Sequence, residues 1–159
     1  MTDVRLDPLA DIAVLSALLL CQSLSLALRA PGSRGDGPTM PSQKTLDDFV
    51  ALVVSGKHDE ALERFYTEDA TMQDNLGDIR KGRDSLVARE RAFMGRFKEI
   101  RTTCVKPVFV SGDFVVVHWI FEFVRAEGSV MRIEELAHQR WRGEKIAEER
   151  FYFDPSQMK

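Results

Sequence analysis

The sequence predicts an α+β domain in which a curled antiparallel sheet is covered by three helices from the N-terminal half. Two observations carry this. Between residues 43 and 97 the apolar residues recur at helical spacing, with a short hairpin inserted. From residue 99 onward the period changes to long stretches rich in Val, Ile, Phe, Thr and Trp, cut by Gly-containing turns. Helices first and a meander afterwards define the class, and long strands joined by tight turns curl so that the helices cover the concave face. A curled sheet with helices over its mouth leaves a pocket.

Leu46, Phe49, Val50 and Val53 form the first helical stripe, Asp47 and Asp48 suit a helix N-terminus, and Gly56 ends the helix. Ala61, Leu62, Phe65 and Tyr66 mark a second helix face. Residues 70–73 and 78–81 make a small hairpin around Asn75, Leu76 and Gly77. Gly82, Arg83 and Asp84 open the third helix, with Leu86, Phe93 and Phe97 on one stripe beside Val87 and Met94. Four strands follow over residues 99–111, 114–125, 130–141 and 145–153, separated by turns at Gly112, Gly128 and Gly143. Arg96, Lys98, Arg101 and Lys106 read as one solvated strand face.

Residues 41–159 therefore read as the domain and residues 1–40 as an extension. Residues 12–28 (IAVLSALLLCQSLSLAL) are apolar, and residues 30–38 (APGSRGDGP) are linker material. Three readings of the extension stand side by side. It is a loosely attached segment, an export signal with an unusually acidic start (Asp3, Asp7 and Asp11 against Arg5), or a membrane anchor shorter than the usual span.

Lys and Arg number 22 against 25 Asp and Glu, a net charge of −3, which disfavours a nucleic-acid partner. Cysteines number 2 and histidines 3, with neither CxxC nor HExxH, which disfavours a disulfide framework and a zinc site. The expectation is a cytoplasmic, cofactor-free domain without a membrane partner, export by residues 1–30 remaining open.

The wording of two segments carries a resemblance. Residues 65–77 (FYTEDATMQDNLG), closed by Arg80, Lys81 and Gly82, resemble the first hairpin of the nuclear transport factor 2-like superfamily, particularly its SnoaL-like polyketide cyclase and ketosteroid isomerase branches. Residues 143–154 (GEKIAEERFYFD) resemble the last strand of SnoaL-like domains. The resemblance spans about residues 42–154 and implies the cone fold and a small apolar ligand; separately, the half-apolar even face of residues 114–125, which mixes Phe114, Val116, Ile120 and Val124 with His118 and Glu122, reads as a homodimer interface. It is specific for fold and weak for reaction, because isomerases, cyclases, hydrolases and binding modules share the architecture.

The resemblance puts Asp74 where the ketosteroid isomerase branch has its general base. A carboxylate beneath an apolar lid can move a proton next to a carbonyl. Asp74 also begins a turn, and capping that turn is the competing role. The branch's enolate-stabilising tyrosine falls near Phe49 here, and its second donor near Ala137, so neither oxyanion donor is present.

Strand parity selects the remaining candidates. Val115, Val117, Trp119, Phe121 and Phe123 share one face of their strand. Glu135 and Gln139 share the inward face of the next strand with Met131, Ile133, Ala137 and Trp141, and His118 and His138 point outward. The last strand poses a conflict. Its apolar set of Ala147, Phe151 and Phe153 places Glu149 inward. A two-residue turn at Gly143 and Glu144 pairs Trp141 with Ile146 and instead turns Glu148 and Tyr152 inward. A β-bulge reconciles the two, and without one His138 lies opposite Glu149. Arg132, Arg140 or Arg150 is the structural partner expected of a buried carboxylate.

The catalytic candidates are thus Asp74, Glu135 and Glu149. The ligand-binding candidates are Phe49, Phe65, Tyr66, Met72, Trp119, Phe121 and Gln139, with Tyr66 and Trp119 equally suited to the core. Two functions fit. One is a cofactor-free isomerase or cyclase that abstracts a proton next to a carbonyl. The other is a non-catalytic ligand-binding or dimerisation domain.

Overall fold

A computed structural model describes residues 40–158. The elements follow the order α1 (Gln43–Val54), α2 (His58–Phe65), β1 (Tyr66–Asp74), β2 (Arg80–Lys81), α3 (Arg83–Met94), β3 (Glu99–Ser111), β4 (Phe114–Val124), β5 (Val130–Arg142) and β6 (Lys145–Phe153), then a short 3₁₀ turn over Pro155–Met158. The expected three helices and four-strand meander are present. The boundary between residues 1–40 and the domain lies almost wholly outside the described residues.

The six strands form one sheet in the order β2-β1-β6-β5-β4-β3. It is mixed rather than antiparallel throughout, because β1 runs parallel to β6. The first hairpin therefore does not stand apart but extends the meander beside its last strand. β1 also begins earlier than the hairpin spacing suggests. Tyr66, expected on the second helix, caps α2 in extended conformation and is the first residue of β1. Its ring is thereby turned into the cone.

Helix α1 starts at Ser42, whose hydroxyl accepts from the Thr45 amide, and whose own amide and hydroxyl donate to Glu144 in the β5–β6 turn. The cap thus ties the first helix to the end of the meander. Leu46, Phe49, Val50 and Val53 from α1 and Ala61, Leu62 and Phe65 from α2 pack on Val115, Val117, Trp119, Ala137, Trp141 and Ile146 from the sheet, all buried. Phe49 lies at the centre, edge-on to Phe65, Trp119 and Trp141 at centroid separations of 5.5, 6.3 and 5.8 Å. Phe93, Phe97 and Phe123 make a second aromatic group toward the wide end of the cone. Phe97 lies beyond the C-cap of α3 at Gly95, yet packs on Phe93 as the stripe requires.

The β5–β6 ladder contains the bulge. Trp141 pairs with Ile146, as the two-residue turn demands, but Arg140 pairs with Glu148, leaving Ala147 as the extra residue. From there Gln139 faces Glu149 and Ala137 faces Phe151. Both Ile146 and Ala147 are buried, as neighbours at a bulge can be. His138 lies opposite Arg150 instead of Glu149.

Candidate functional site

Two cavities share one wall inside the cone. The outer measures about 650 Å³ and includes Asp74, Arg80, Glu90, Phe93, Arg96, Phe121, Phe123, Glu135 and Phe153 in its lining. The inner measures about 90 Å³ and is bounded by Phe49, Tyr66, Trp119 and Glu149 among others. His58, Met72, Glu90, Phe121 and Phe151 border both.

Glu149 is buried to 4% exposure. Its carboxylate accepts from the Tyr66 hydroxyl in a very short hydrogen bond, and from Gln139 Nε2 at 2.7 Å. Gln139 Oε1 in turn accepts from Trp141 Nε1 at 3.1 Å. Every member of this chain is buried, so each polar group is satisfied by another. Burial raises the Glu149 pKa to about 7, against the opposing pull of the Tyr66 and Gln139 hydrogen bonds. Burial and the adjacent carboxylate push the Tyr66 hydroxyl well above its usual range.

Glu135 lines the outer cavity. Burial, with the negative charge of Glu149, Asp74 and Glu90 nearby, raises its pKa to about 8. It is therefore mostly protonated at neutral pH and presents an O–H donor to the cavity.

Asp74 ends β1. Both of its oxygens accept from the Arg80 guanidinium at 2.6 Å, a bidentate pair across the hairpin. The turn that follows is closed by the Asp74 carbonyl, which accepts from the Gly77 amide at 2.9 Å. The side chain is thus committed to Arg80 and the cavity wall, and the turn uses only the backbone.

The candidates come together as follows. Asp74 and Glu135 meet on the outer cavity, Glu149 and Tyr66 on the inner, and Met72 and Phe121 on both. Phe49 and Trp119 border the inner cavity from the core. Gln139 and Phe65 border neither; Gln139 orients Glu149, and Phe65 packs beneath Phe49. None of the three arginines expected as a carboxylate partner serves Glu135 or Glu149. Arg132 pairs with Glu134, Arg140 with Asp113 and Glu148, and Arg150 bonds the Tyr152 hydroxyl, all on the outer face of the sheet.

Three site residues escaped the sequence reading. Arg80 is one. The others are His58, which is buried with Nε2 2.9 Å from Thr102 Oγ1, and Glu90, whose Oε1 lies 3.3 Å from His58 Nδ1. A helical signal was available for both, since His58 falls on the stripe of Ala61, Leu62 and Phe65, and Glu90 on that of Leu86, Val87 and Phe93. Arg96 departs from the expected solvated strand face. It precedes β3, stacks on Phe93 at 4.5 Å and borders the outer cavity. Among the described residues no group of His, Cys, Asp and Glu is placed to hold a metal ion, and no helix is long and apolar enough to cross a membrane.

A curled mixed sheet under three helices defines the class as an α+β cone of the nuclear transport factor 2-like fold. The chain belongs to the SnoaL-like domain family, which matches residues 46–149. Among solved structures it is similar to a protein assigned as a SnoaL-like polyketide cyclase from Mesorhizobium loti (20% identity over 69% of this chain and 96% of that one, TM-score 0.57). It is also similar to a protein of ketosteroid isomerase-like fold from Catenulispora acidiphila in complex with trimethylamine (19% identity, 73% and 89%, TM-score 0.61). A third is an LEH-like epoxide hydrolase from M. tuberculosis (12% identity, 72% and 84%, TM-score 0.60). No curated protein matches the chain.

Proposed function

We propose that this domain binds a small, largely apolar carbonyl compound in the outer cavity and moves a proton next to the carbonyl without a cofactor. The observation that carries the reading is the sharing of one cavity by Asp74 and Glu135 under different electrostatic conditions. Glu135 is mostly protonated near neutral pH, whereas Asp74 faces a guanidinium at 2.6 Å. A carboxyl held protonated beside one that is ion-paired can supply an acid and a base in one site. Asp74 takes the proton from carbon, and the Glu135 O–H donates to the carbonyl oxygen as negative charge develops there. Asp74 then returns that proton to carbon while Glu135 keeps its own, and Glu149, held by Tyr66 and Gln139, lines the inner cavity.

A second reading is a non-catalytic ligand-binding domain. The engagement of both Asp74 oxygens by Arg80 favours it, because each oxygen already accepts from the guanidinium. In either case we infer a homodimer formed through the outer sheet face.

The test is a thermal-shift screen of small ketones, polyketide-like compounds and small epoxides, followed by turnover assays on the hits. Asp74→Asn is expected to retain binding and to lower turnover by a factor of about 10² or more. Hits that bind without any turnover establish the second reading. A hit that reacts equally with wild type and Asp74→Asn removes Asp74 as the base.

A further inference from the structure

The rim of the outer cavity carries two guanidinium groups that the acid–base reading does not use. Arg89 and Arg96 both border it, and both are exposed. Most arginines among the described residues have a carboxylate partner, as at Arg64, Arg80, Arg83, Arg91, Arg101, Arg132, Arg140 and Arg142. Among the described residues Arg89, Arg96, Arg125 and Arg150 have none, and of these four only Arg89 and Arg96 border the outer cavity.

Arg96 is also held in place. Its guanidinium lies 4.5 Å from the Phe93 ring centre and 5.8 Å from that of Phe97. Its Nε donates to the Phe93 carbonyl at 3.5 Å, and stacking of this kind fixes the plane while leaving the two Nη groups to donate. Arg89 lies on α3 and Arg96 immediately follows its C-cap, seven residues further along the chain. The turn of α3 continues through the Gly95 cap, where the Arg96 amide donates to the Phe93 carbonyl. Two arginine arms extending from such positions can close on one group at the rim.

Inside the rim the wall is apolar, with Leu86, Phe93, Phe121, Phe123, Ile133 and Phe153. Of the carboxyl groups deeper in, Asp74 is paired with Arg80 and Glu90 faces His58, while Glu135 has no partner among the described residues and is kept mostly protonated by burial. The cavity therefore runs from two cations at its mouth that lack a carboxylate partner among the described residues, over aromatic rings, to acids within.

We propose that the molecule taken by this cavity has an apolar body and a terminal oxyanion, and that Arg89 and Arg96 are the specificity-determining residues that hold the oxyanion at the rim. The inference rests on the reading of the cavity as a small-molecule site. It adds that the molecule enters apolar end first. A carboxylate and a phosphate monoester share the chemistry required, since the arginine fork matches both.

The experiment uses the full chain and four probes on one apolar body: 2-naphthylacetate, 2-naphthyl phosphate, the neutral 2-naphthylacetamide and the cationic 2-naphthylmethylamine. Affinities are measured by calorimetry at low salt. At least one anionic probe is expected to bind about 10-fold tighter than the amide, and which one does so separates a carboxylate from a phosphate ligand. The preference should shrink toward parity in about 0.3 M salt, since the rim is exposed. The double variant Arg89→Gln with Arg96→Gln should abolish the preference and leave amide binding unchanged. Arg89→Lys with Arg96→Lys should keep part of it. Equal binding of the anions and the amide, or tightest binding of the amine, overturns this proposal while leaving the pocket intact. Loss of amide and anion binding together in the Gln variant also overturns it. If no probe binds, the small-molecule reading itself falls, and this one with it.

Discussion

Gln139 and Glu149 face each other across β5 and β6, joined by a 2.7 Å hydrogen bond, because Ala147 is an extra residue in the ladder. Without that residue the register set at Trp141 and Ile146 would turn Glu148 inward and leave Glu149 on the outer face. One alanine thus decides which acid is buried.

The two raised acids give the domain a pH signature. Glu135 and Glu149 have folded-state pKa values of about 8 and about 7, above the ordinary 4.5. Between pH 4.5 and 8 the folded state binds more protons than the unfolded one, so their contribution to stability is full near pH 4.5 and lost as pH rises through 7 and 8. Glu135→Gln should therefore raise stability by about 1–3 kcal/mol at pH 8.5 and change little at pH 5. Urea midpoints at the two pH values test this; a variant equally stable with wild type at pH 8.5 refutes it.

Tyr66→Phe removes the hydroxyl that the Glu149 carboxylate accepts from. Loss of a buried hydrogen bond to an ionisable group is expected to cost about 1–3 kcal/mol. Because that bond favours the charged form, the Glu149 pKa should rise further above 7. Carbon-detected NMR titration of the Glu149 carboxyl is the measurement, and an unmoved or lowered value contradicts the role given to Tyr66.

The homodimer inference concerns the outer face of β4, β5 and β6. Phe114, Leu136 and Tyr152 are exposed there at 41, 46 and 44%, with Arg140 and Glu148 forming an ion pair between them. Such a mixed apolar face suits an isologous contact. Light scattering at tens of micromolar should give twice the chain mass, and Leu136→Arg should halve it. A monomeric wild type sinks the inference.

For the domain boundary, a chain starting at Met40 should match the full chain in denaturant midpoint to within about 1 kcal/mol. Ser42 caps α1 and reaches Glu144 in the β5–β6 turn. A larger loss would place the extension against the domain.

Local pattern was enough to place most of the fold. The stripes of α1 and α2, the Gly-marked turns and the alternation of β4 and β5 are properties of near neighbours in sequence, and parity alone put Glu135, Gln139 and Trp119 on the concave face. Tertiary structure decided what depends on distant partners. The parallel pairing of β1 with β6 joins residues about 80 positions apart, which no local period encodes. The bulge was foreseen as one of two registers, and the choice rests on burying Ile146 and Ala147 together while turning Glu149 to Tyr66. His58, Arg80 and Glu90 joined the site only when α2, β2 and α3 closed over the cone, because each is an ordinary polar residue until its neighbours bury it.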